Sequence, residues 1–129
     1  DISIIICTFN RYVKLKKVLN YINELIVPDE LKYEVIIVDN NSNDKTKGIV
    51  ERFIKKKPQI FKYLFEQKQG KSYALNSGIK NAHGEIIAFT DDDVRIDRKW
   101  LFVIMDAFKR YDCIGVGGKI LPMACPVTN

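Results

Sequence analysis

Glu85-Ile86-Ile87-Ala88-Phe89-Thr90-Asp91-Asp92-Asp93 is an apolar run that stops on three consecutive carboxylates. A short apolar segment bounded in this way reads as a buried strand with a polar group at its C-terminal end. The same form occurs twice upstream. Ile2 to Cys7 is largely apolar and closes on the polar turn Thr8-Phe9-Asn10-Arg11. Val35 to Val38 is apolar and closes on Asp39, followed by the turn and cap formers Asn40-Asn41-Ser42-Asn43-Asp44.

Helical periodicity fills the spaces between these runs. Leu15, Val18, Leu19, Ile22 and Leu25 recur at helical spacing, and that helix must end before Pro28. Ile49, Val50, Phe53 and Ile54 mark a second helix, stopped before Pro58. Phe61 to Phe65 reads as a third strand and Gln67 to Lys71 as a glycine-containing loop. Ser72 to Ala82 reads as a helix in which Gly78 is useful only where something packs closely on it. Trp100 to Phe108 carries another helical stripe, and Ile114 to Ile120, with three glycines, is the weakest strand of the series. Strand and helix alternate throughout. This predicts an α/β fold with a Rossmann-like, mostly parallel sheet covered by helices on both faces. Crossovers in such a sheet are right-handed, and ligands sit beyond the carboxyl ends of the strands. One rule therefore brings Thr8 to Arg11, Asp39 to Asp44 and Asp91 to Asp93 to one edge.

Asp91, Asp92 and Asp93 are the strongest chemical feature. Adjacent carboxylates repel, and a hard divalent cation with a preference for oxygen ligands relieves that repulsion. In extended geometry Asp91 and Asp93 point to one side and Asp92 to the other. A solvated acidic turn or helix cap is the plainer reading, against which the preceding apolar strand weighs. Asp39 closes a buried strand, where it can accept hydrogen bonds from a base or a ribose, or merely cap its own turn. Lys71 lies at a helix start, where a cation and free N–H groups can meet a diphosphate. No Gly-x-Gly-x-x-Gly or Walker loop is present, and no hydrolase elbow surrounds a serine. His83, the sole histidine, reads as structural.

The chain has 129 residues, 47% apolar composition and a formal charge of +5, which fits one folded domain. Its lysines are spread along the sequence apart from Lys55-Lys56-Lys57, an ordinary cationic helix end, with proximity to an anionic membrane surface as the minor alternative. Nucleic acid is not an expected partner. Cys7, Cys113 and Cys125 are odd in number and widely spaced, which points to a reducing compartment. No apolar run reaches the roughly 18 residues of a membrane span. The start at Asp1 and the featureless end are read as those of a piece cut from a longer protein.

Four segments together carry a family resemblance: Ser3 to Arg11, Val35 to Asp44, Gly70 to Ile79 and Ala82 to Asp93. In order and spacing they resemble the N-terminal region of inverting, family-2-like glycosyltransferases of the GT-A fold. The resemblance implies that residues 1–129 are the nucleotide-sugar-binding part of the domain, with the acceptor-binding and catalytic-base part absent. It implies that Thr8, Phe9, Asn10 and Arg11 form a loop under the nucleoside and that Asp39 binds the base. Lys71 would contact the nucleotide or its phosphates, and Asn76 would order the loop. Asp91 would meet the ribose, with Asp92 beside it in the same Asp-x-Asp motif, and Asp93 would coordinate Mn2+ or Mg2+ on the diphosphate. UDP is the favoured nucleotide, ahead of GDP and dTDP. The acceptor is a saccharide or a lipid-linked saccharide, and no catalytic base is identified. The expected location is the cytoplasm, including the inner face of the membrane, and self-association through uncovered apolar surface is expected of the piece.

Three other readings compete. A sugar nucleotidyltransferase announces a glycine- and basic-rich loop after its first strand, where Thr8-Phe9-Asn10-Arg11-Tyr12 stands instead. A response-regulator receiver gathers acidic residues near the first strand, which here ends in Cys7 and Thr8. A non-catalytic sugar-nucleotide-binding module is the third alternative, and the isolated piece would itself behave as one.

Overall fold

The computed structural model describes residues 1–122, so Cys125 and the terminal segment 123–129 lie outside the described residues. Strands and helices alternate: β1 (Ile2–Thr8), α1 (Tyr12–Asn23), β2 (Tyr33–Asp39), α2 (Thr46–Lys56), β3 (Phe61–Phe65), α3 (Lys71–Lys80), β4 (Ile86–Thr90) and α4 (Trp100–Arg110). The four strands form one sheet in the order β3-β2-β1-β4, and every pairing is parallel. This is the expected Rossmann-like GT-A sheet.

The register aligns the strand ends. Thr8 lies opposite Asp39, Asp39 opposite Phe65, and Ile6 opposite Thr90. The polar segment after each strand therefore emerges at the same edge. The chain runs outward from β1 through β2 to β3, then returns to the other side of β1 for β4. The edge above β1 and β4 is thus the point where strand order reverses, the usual ligand crevice of an open α/β sheet.

The central strands β1 and β2 are apolar on both faces because both faces are covered. One face, with Ile2, Ile4, Ile6, Val35 and Ile37, packs against Leu15, Val18 and Ile22 of α1, Val50 and Phe53 of α2, and Leu101 and Ile104 of α4. The other face, with Ile5, Ile36 and Val38, is covered by α3 through Ala74. There α3 lies so close that a methyl group on Gly78 would sit 2.7 Å from Ile5 Cγ2, the close approach that alone justifies a glycine at that point of a helix. Edge strand β4 is less covered, and Phe89 is 52% exposed.

At the N-terminal end of the sheet a polar cluster ties β4 to the centre. Ser3 Oγ donates to Glu34 Oε1 at 2.6 Å, the His83 backbone N–H donates to the same oxygen at 2.7 Å, and Lys62 pairs with Oε2. Burial opposes the charge on Glu34, but the hydrogen bonds from Lys62, Ser3 and His83 outweigh it and hold the carboxyl down at about 2. His83 is structural, as its isolated position in the sequence suggests. Its backbone, not its exposed ring, makes the close contact.

The strand expected over Ile114 to Ile120 is absent. That segment is irregular, and Ile114 and Ile120 are almost fully exposed. A strand needs a ladder partner, and among the described residues none pairs with it. Three glycines also raise the entropic cost of ordering it.

Candidate functional site

Four loops meet at the C-terminal edge of the sheet and are laced by side chains. Asn40, directly after β2, is the main tie. Its Nδ2 donates to the carbonyls of Glu66 and Lys68, at 3.2 and 2.7 Å, and its Oδ1 accepts from the Gly70 N–H at 2.9 Å. One buried amide thereby fixes the β3–α3 loop and the start of α3. Asn10, held at φ 50, receives the Asn43 N–H on its Oδ1 at 2.9 Å, while its own N–H donates to Ser42 Oγ. Asparagine tolerates this left-handed backbone better than other side chains do.

Asp39 is 2% exposed. Its Oδ1 accepts from the Ser42 N–H at 2.9 Å and its Oδ2 from the Tyr63 hydroxyl at 2.8 Å. Desolvation, followed by the bond to Asp39, drives the Tyr63 phenol well above its ordinary range. Each oxygen of Asp39 keeps one lone-pair direction beyond these bonds.

The acidic motif is a turn, not the extended segment expected, because β4 ends at Thr90. The three carboxylates part company there. Asp92 turns inward and is 5% exposed; Thr8 Oγ1 donates to its Oδ2 at 2.8 Å and Arg11 Nη1 to its Oδ1 at 3.3 Å. Asp91 and Asp93 face outward. Lys71 Nζ meets Asp91 Oδ1 at 3.1 Å, and Arg11 Nη1 also reaches Asp93 Oδ2 at 3.4 Å. The hydrogen bond to Asp91 and its charge raise the Lys71 ammonium above its ordinary value. Two cations thus face three carboxylates, leaving one net negative charge. Phe9, at the tip of the β1 loop, is 45% exposed and touches none of them through a hydrogen bond.

Beside the Lys71–Asp91 pair opens a cleft of about 310 Å³, lined by Cys7, Lys71, Leu75, Phe89, Thr90 and Asp91. It lies at the C-terminal ends of β1 and β4, where the strand order reverses. Cys7 is half-buried in the cleft wall, and burial pushes its thiol up to about 11, which favours the thiol over the thiolate.

Among the described residues, no three His, Cys, Asp or Glu side chains converge as a complete metal cage. Two carboxylates face outward on the turn: Asp91, 60% exposed, lines the cleft and is paired with Lys71, and Asp93, 40% exposed, stands two residues on. That donor set fits a hard cation that takes its other ligands from substrate phosphate and water.

The structure therefore brings together Thr8, Arg11, Lys71, Asp91, Asp92 and Asp93, and places Asp39 below them as a buried brace of the β2 loop. Asn76 makes no side-chain hydrogen bond in the lacing; it lines a shallow depression between α3 and the β3–α3 loop with Glu66, Lys68 and Tyr73. Sequence reading missed Asn40 and Tyr63. Asn40 stands among turn formers that look alike, and Tyr63 sits in an unremarkable strand.

A family model described as Glycosyl transferase family 2 matches residues 3–123. Glycosyltransferase AglE of Haloferax volcanii is 35% identical over 100 residues, covering 78% of this chain and 33% of that protein. The GalNAc(5)-diNAcBac-PP-undecaprenol beta-1,3-glucosyltransferase of Campylobacter jejuni is 39% identical over 94 residues, 71% of this chain and 29% of that protein. The chain thus spans about a third of the length of the curated relatives it matches. Among solved structures, the mannosyltransferase PcManGT of Pyrobaculum calidifontis, in complex with GDP-Man and Mn2+, superposes with TM-score 0.74 and 30% identity, over 90% of this chain and 33% of that one. S. aureus TarS in complex with UDP gives 0.76 and 25% identity, over 95% of this chain and 38% of that one. Among the described residues no helix is long and apolar enough to cross a membrane.

Proposed function

The chain belongs to glycosyl transferase family 2, and from that premise we propose that it is the donor-binding part of an enzyme that transfers a sugar from a nucleoside diphosphate to an acceptor hydroxyl with inversion. The observation that carries the proposal is the gathering of Arg11, Lys71, Asp91, Asp92 and Asp93 beside an open cleft at the strand-order reversal. Relatives whose solved structures hold GDP-Man with Mn2+, or UDP, support a nucleotide-sugar as the ligand. UDP is the nucleotide favoured here.

The nucleoside lies over Thr8 to Arg11 and the braced β2 loop, with Asp39 offering its free lone-pair directions to the base. Asp91 meets the ribose. Arg11 and Lys71 face the diphosphate, where they offset charge that grows as the sugar leaves. Asp92, held by Thr8 and Arg11, positions the turn. Asp93 would hold a divalent cation, Mn2+ or Mg2+, which supplies Lewis-acid stabilisation of the leaving diphosphate when bound.

In the transfer, the acceptor oxygen forms a bond to the anomeric carbon while the bond to the diphosphate oxygen breaks. A carboxylate base takes the hydroxyl proton. Among the described residues none is suited to that role; Asp112 is exposed beyond α4, away from the motif in sequence and without a supporting contact. On this reading the base and acceptor pocket lie elsewhere in a parent enzyme about three times as long, as the relatives are, and this chain binds donor without robust transfer. The undecaprenol-linked substrate of the Campylobacter relative makes a lipid-linked saccharide one acceptor class, alongside a growing polysaccharide.

Titration calorimetry of the chain with UDP, with and without Mn2+, repeated on Asp93→Ala, tests the reading. Metal-dependent binding that Asp93→Ala weakens is the expected result. Failure to bind UDP, GDP or dTDP under any metal condition overturns it.

A further inference from the structure

We propose that the outer face of α1 and α2 docks this protein on an anionic bilayer surface. The inference does not depend on the donor reading, since it concerns a different face and a different ligand.

The lysines that look dispersed along the sequence are gathered by the fold. Helices α1 and α2 pack side by side on one face of the sheet, burying Leu15, Val18, Leu19 and Ile22 from one and Ile49, Val50 and Phe53 from the other. Opposite these buried stripes lie Lys14, Lys16 and Lys17 on α1, and Lys45, Lys47, Arg52, Lys55 and Lys56 on and beside α2, all exposed, with Lys57 at the end. Across residues 12–23 and 45–57 there are nine cationic side chains and one acidic, Glu51. The other 104 residues carry 12 cationic and 15 acidic side chains, so the positive charge of the molecule resides wholly on this pair of helices.

Helix energetics do not account for the arrangement. Cations stabilise the last turn of a helix and oppose the first. Lys55 and Lys56 obey that rule, but Lys45 and Lys47 flank the start of α2, and Lys14 lies in the first turn of α1. Neither first turn holds an acidic residue. Local pairing does not account for it either: among the described residues no ion pair includes any of the nine. Apart from Lys45, which lies 6.0 Å from the Tyr12 ring centroid, these charges have no local partner among the described residues; they repel one another, and a polyanionic partner removes that cost.

The partner's nature follows from the composition and shape of the face. Eight of the nine cations are lysine, a flexible point charge suited to diffuse attraction; base or phosphate-backbone reading favours arginine forks. The face is the convex outside of two helices. Its aromatic residues Tyr12 and Tyr21 are half-buried against the core, so no stacking platform is offered to bases. Lysines near an anionic leaflet each strengthen attachment by about fivefold, and their stems can lie along the surface. Both helices begin at the C-terminal edge of the sheet, so a docked face would hold the candidate site beside the bilayer.

Vesicle co-sedimentation tests this with three proteins: the native chain, a face variant (Lys14, Lys16, Lys17, Lys55 and Lys56 all to Gln) and a control variant losing the same charge elsewhere (Lys32, Lys80, Lys99, Lys109 and Lys119 all to Gln). Vesicles are phosphatidylcholine alone or with roughly one third phosphatidylglycerol. The native chain is expected to pellet only with the anionic vesicles and to be released by salt. The face variant should lose about tenfold or more in partitioning, while the control stays within about twofold. A variant restricted to Lys55→Gln and Lys56→Gln, checked by thermal melting, gives an intermediate loss. No binding of the native chain, equal losses in face and control variants, or displacement from the vesicles by a mixed-sequence DNA duplex would each overturn the proposal.

Discussion

Thr8 Oγ1 donates a 2.8 Å hydrogen bond to Asp92 Oδ2, joining the end of the first strand to the acidic turn 84 residues later. The bond is buried, so the inward carboxylate depends on it and on Arg11. Thr8→Val keeps the shape and removes the donor. It should destabilise the fold by about 1–3 kcal/mol, because a buried acceptor loses its partner. Thr8→Ser should retain most of the stability. Urea denaturation of the three proteins checks this.

Arg11 is the counter-cation of both Asp92 and Asp93. Arg11→Gln should bind Mn2+ alone more tightly, by about two- to fivefold, the scale of a partly exposed ion pair. The same variant should bind UDP with Mn2+ less well, since a cation facing the diphosphate is gone. Calorimetry with metal alone and with metal plus UDP separates the two effects; a fall in both would mean that Arg11 chiefly holds the loop.

Tyr63 completes the hydrogen bonding of buried Asp39. Tyr63→Phe should cost about 1–2 kcal/mol of stability. Its effect should largely vanish in an Asp39→Asn background, which a double-mutant cycle by denaturation would show as coupling.

Glu34 gives the fold an acid limit. Its carboxyl is held at about 2 in the folded state, below its ordinary value of 4.5. A group lowered on folding contributes stability that is fully present above the unfolded value and is lost as pH falls through the folded one. Stability should therefore decline between about pH 4.5 and 2, and Glu34→Gln should flatten that part of the profile while lowering stability at neutral pH. Thermal melts across the pH range measure both.

Two glycines should respond differently to a methyl group. At Gly78 the new atom meets the side chains of Ile5 and Val38, which can shift slightly, so Gly78→Ala should cost about 1–3 kcal/mol. At Gly84 it meets the backbone of Ser3 and Ile2 at 2.5 and 2.7 Å, which cannot give without parting β1 from the turn that leads into β4. Gly84→Ala should be the more damaging, to the point of poor soluble yield.

The parts that were legible in the sequence are those set by short-range pattern. Apolar runs closing on Thr8, Asp39 and Asp91 gave the strands, and the carboxyl-end rule brought their polar ends together, as the register now shows. Alternation along the motif set Asp92 apart from Asp91 and Asp93, but the partners that hold it inward were not legible, because Thr8 and Arg11 lie more than 80 residues away. Asn40 was hidden for a similar reason. Its amide ties loops some 30 residues apart, and nothing in its immediate neighbours distinguishes it from Asn41. The failed strand at Ile114 shows the converse: an apolar stretch is necessary for a strand, but a ladder partner makes one.

The position of β1 at the middle of the sheet has a consequence for how the protein is made. During synthesis β1 pairs with β2 early but waits for residues 86–90 before its other side is covered. Until then the backbone of β1 presents an open row of unpaired N–H and C=O groups that any extended chain could pair with. This segment is therefore most vulnerable to mispairing while the residues between β2 and β4 are being synthesised, and the arrival of β4 ends that exposure at the same moment that it delivers the aspartates to Thr8.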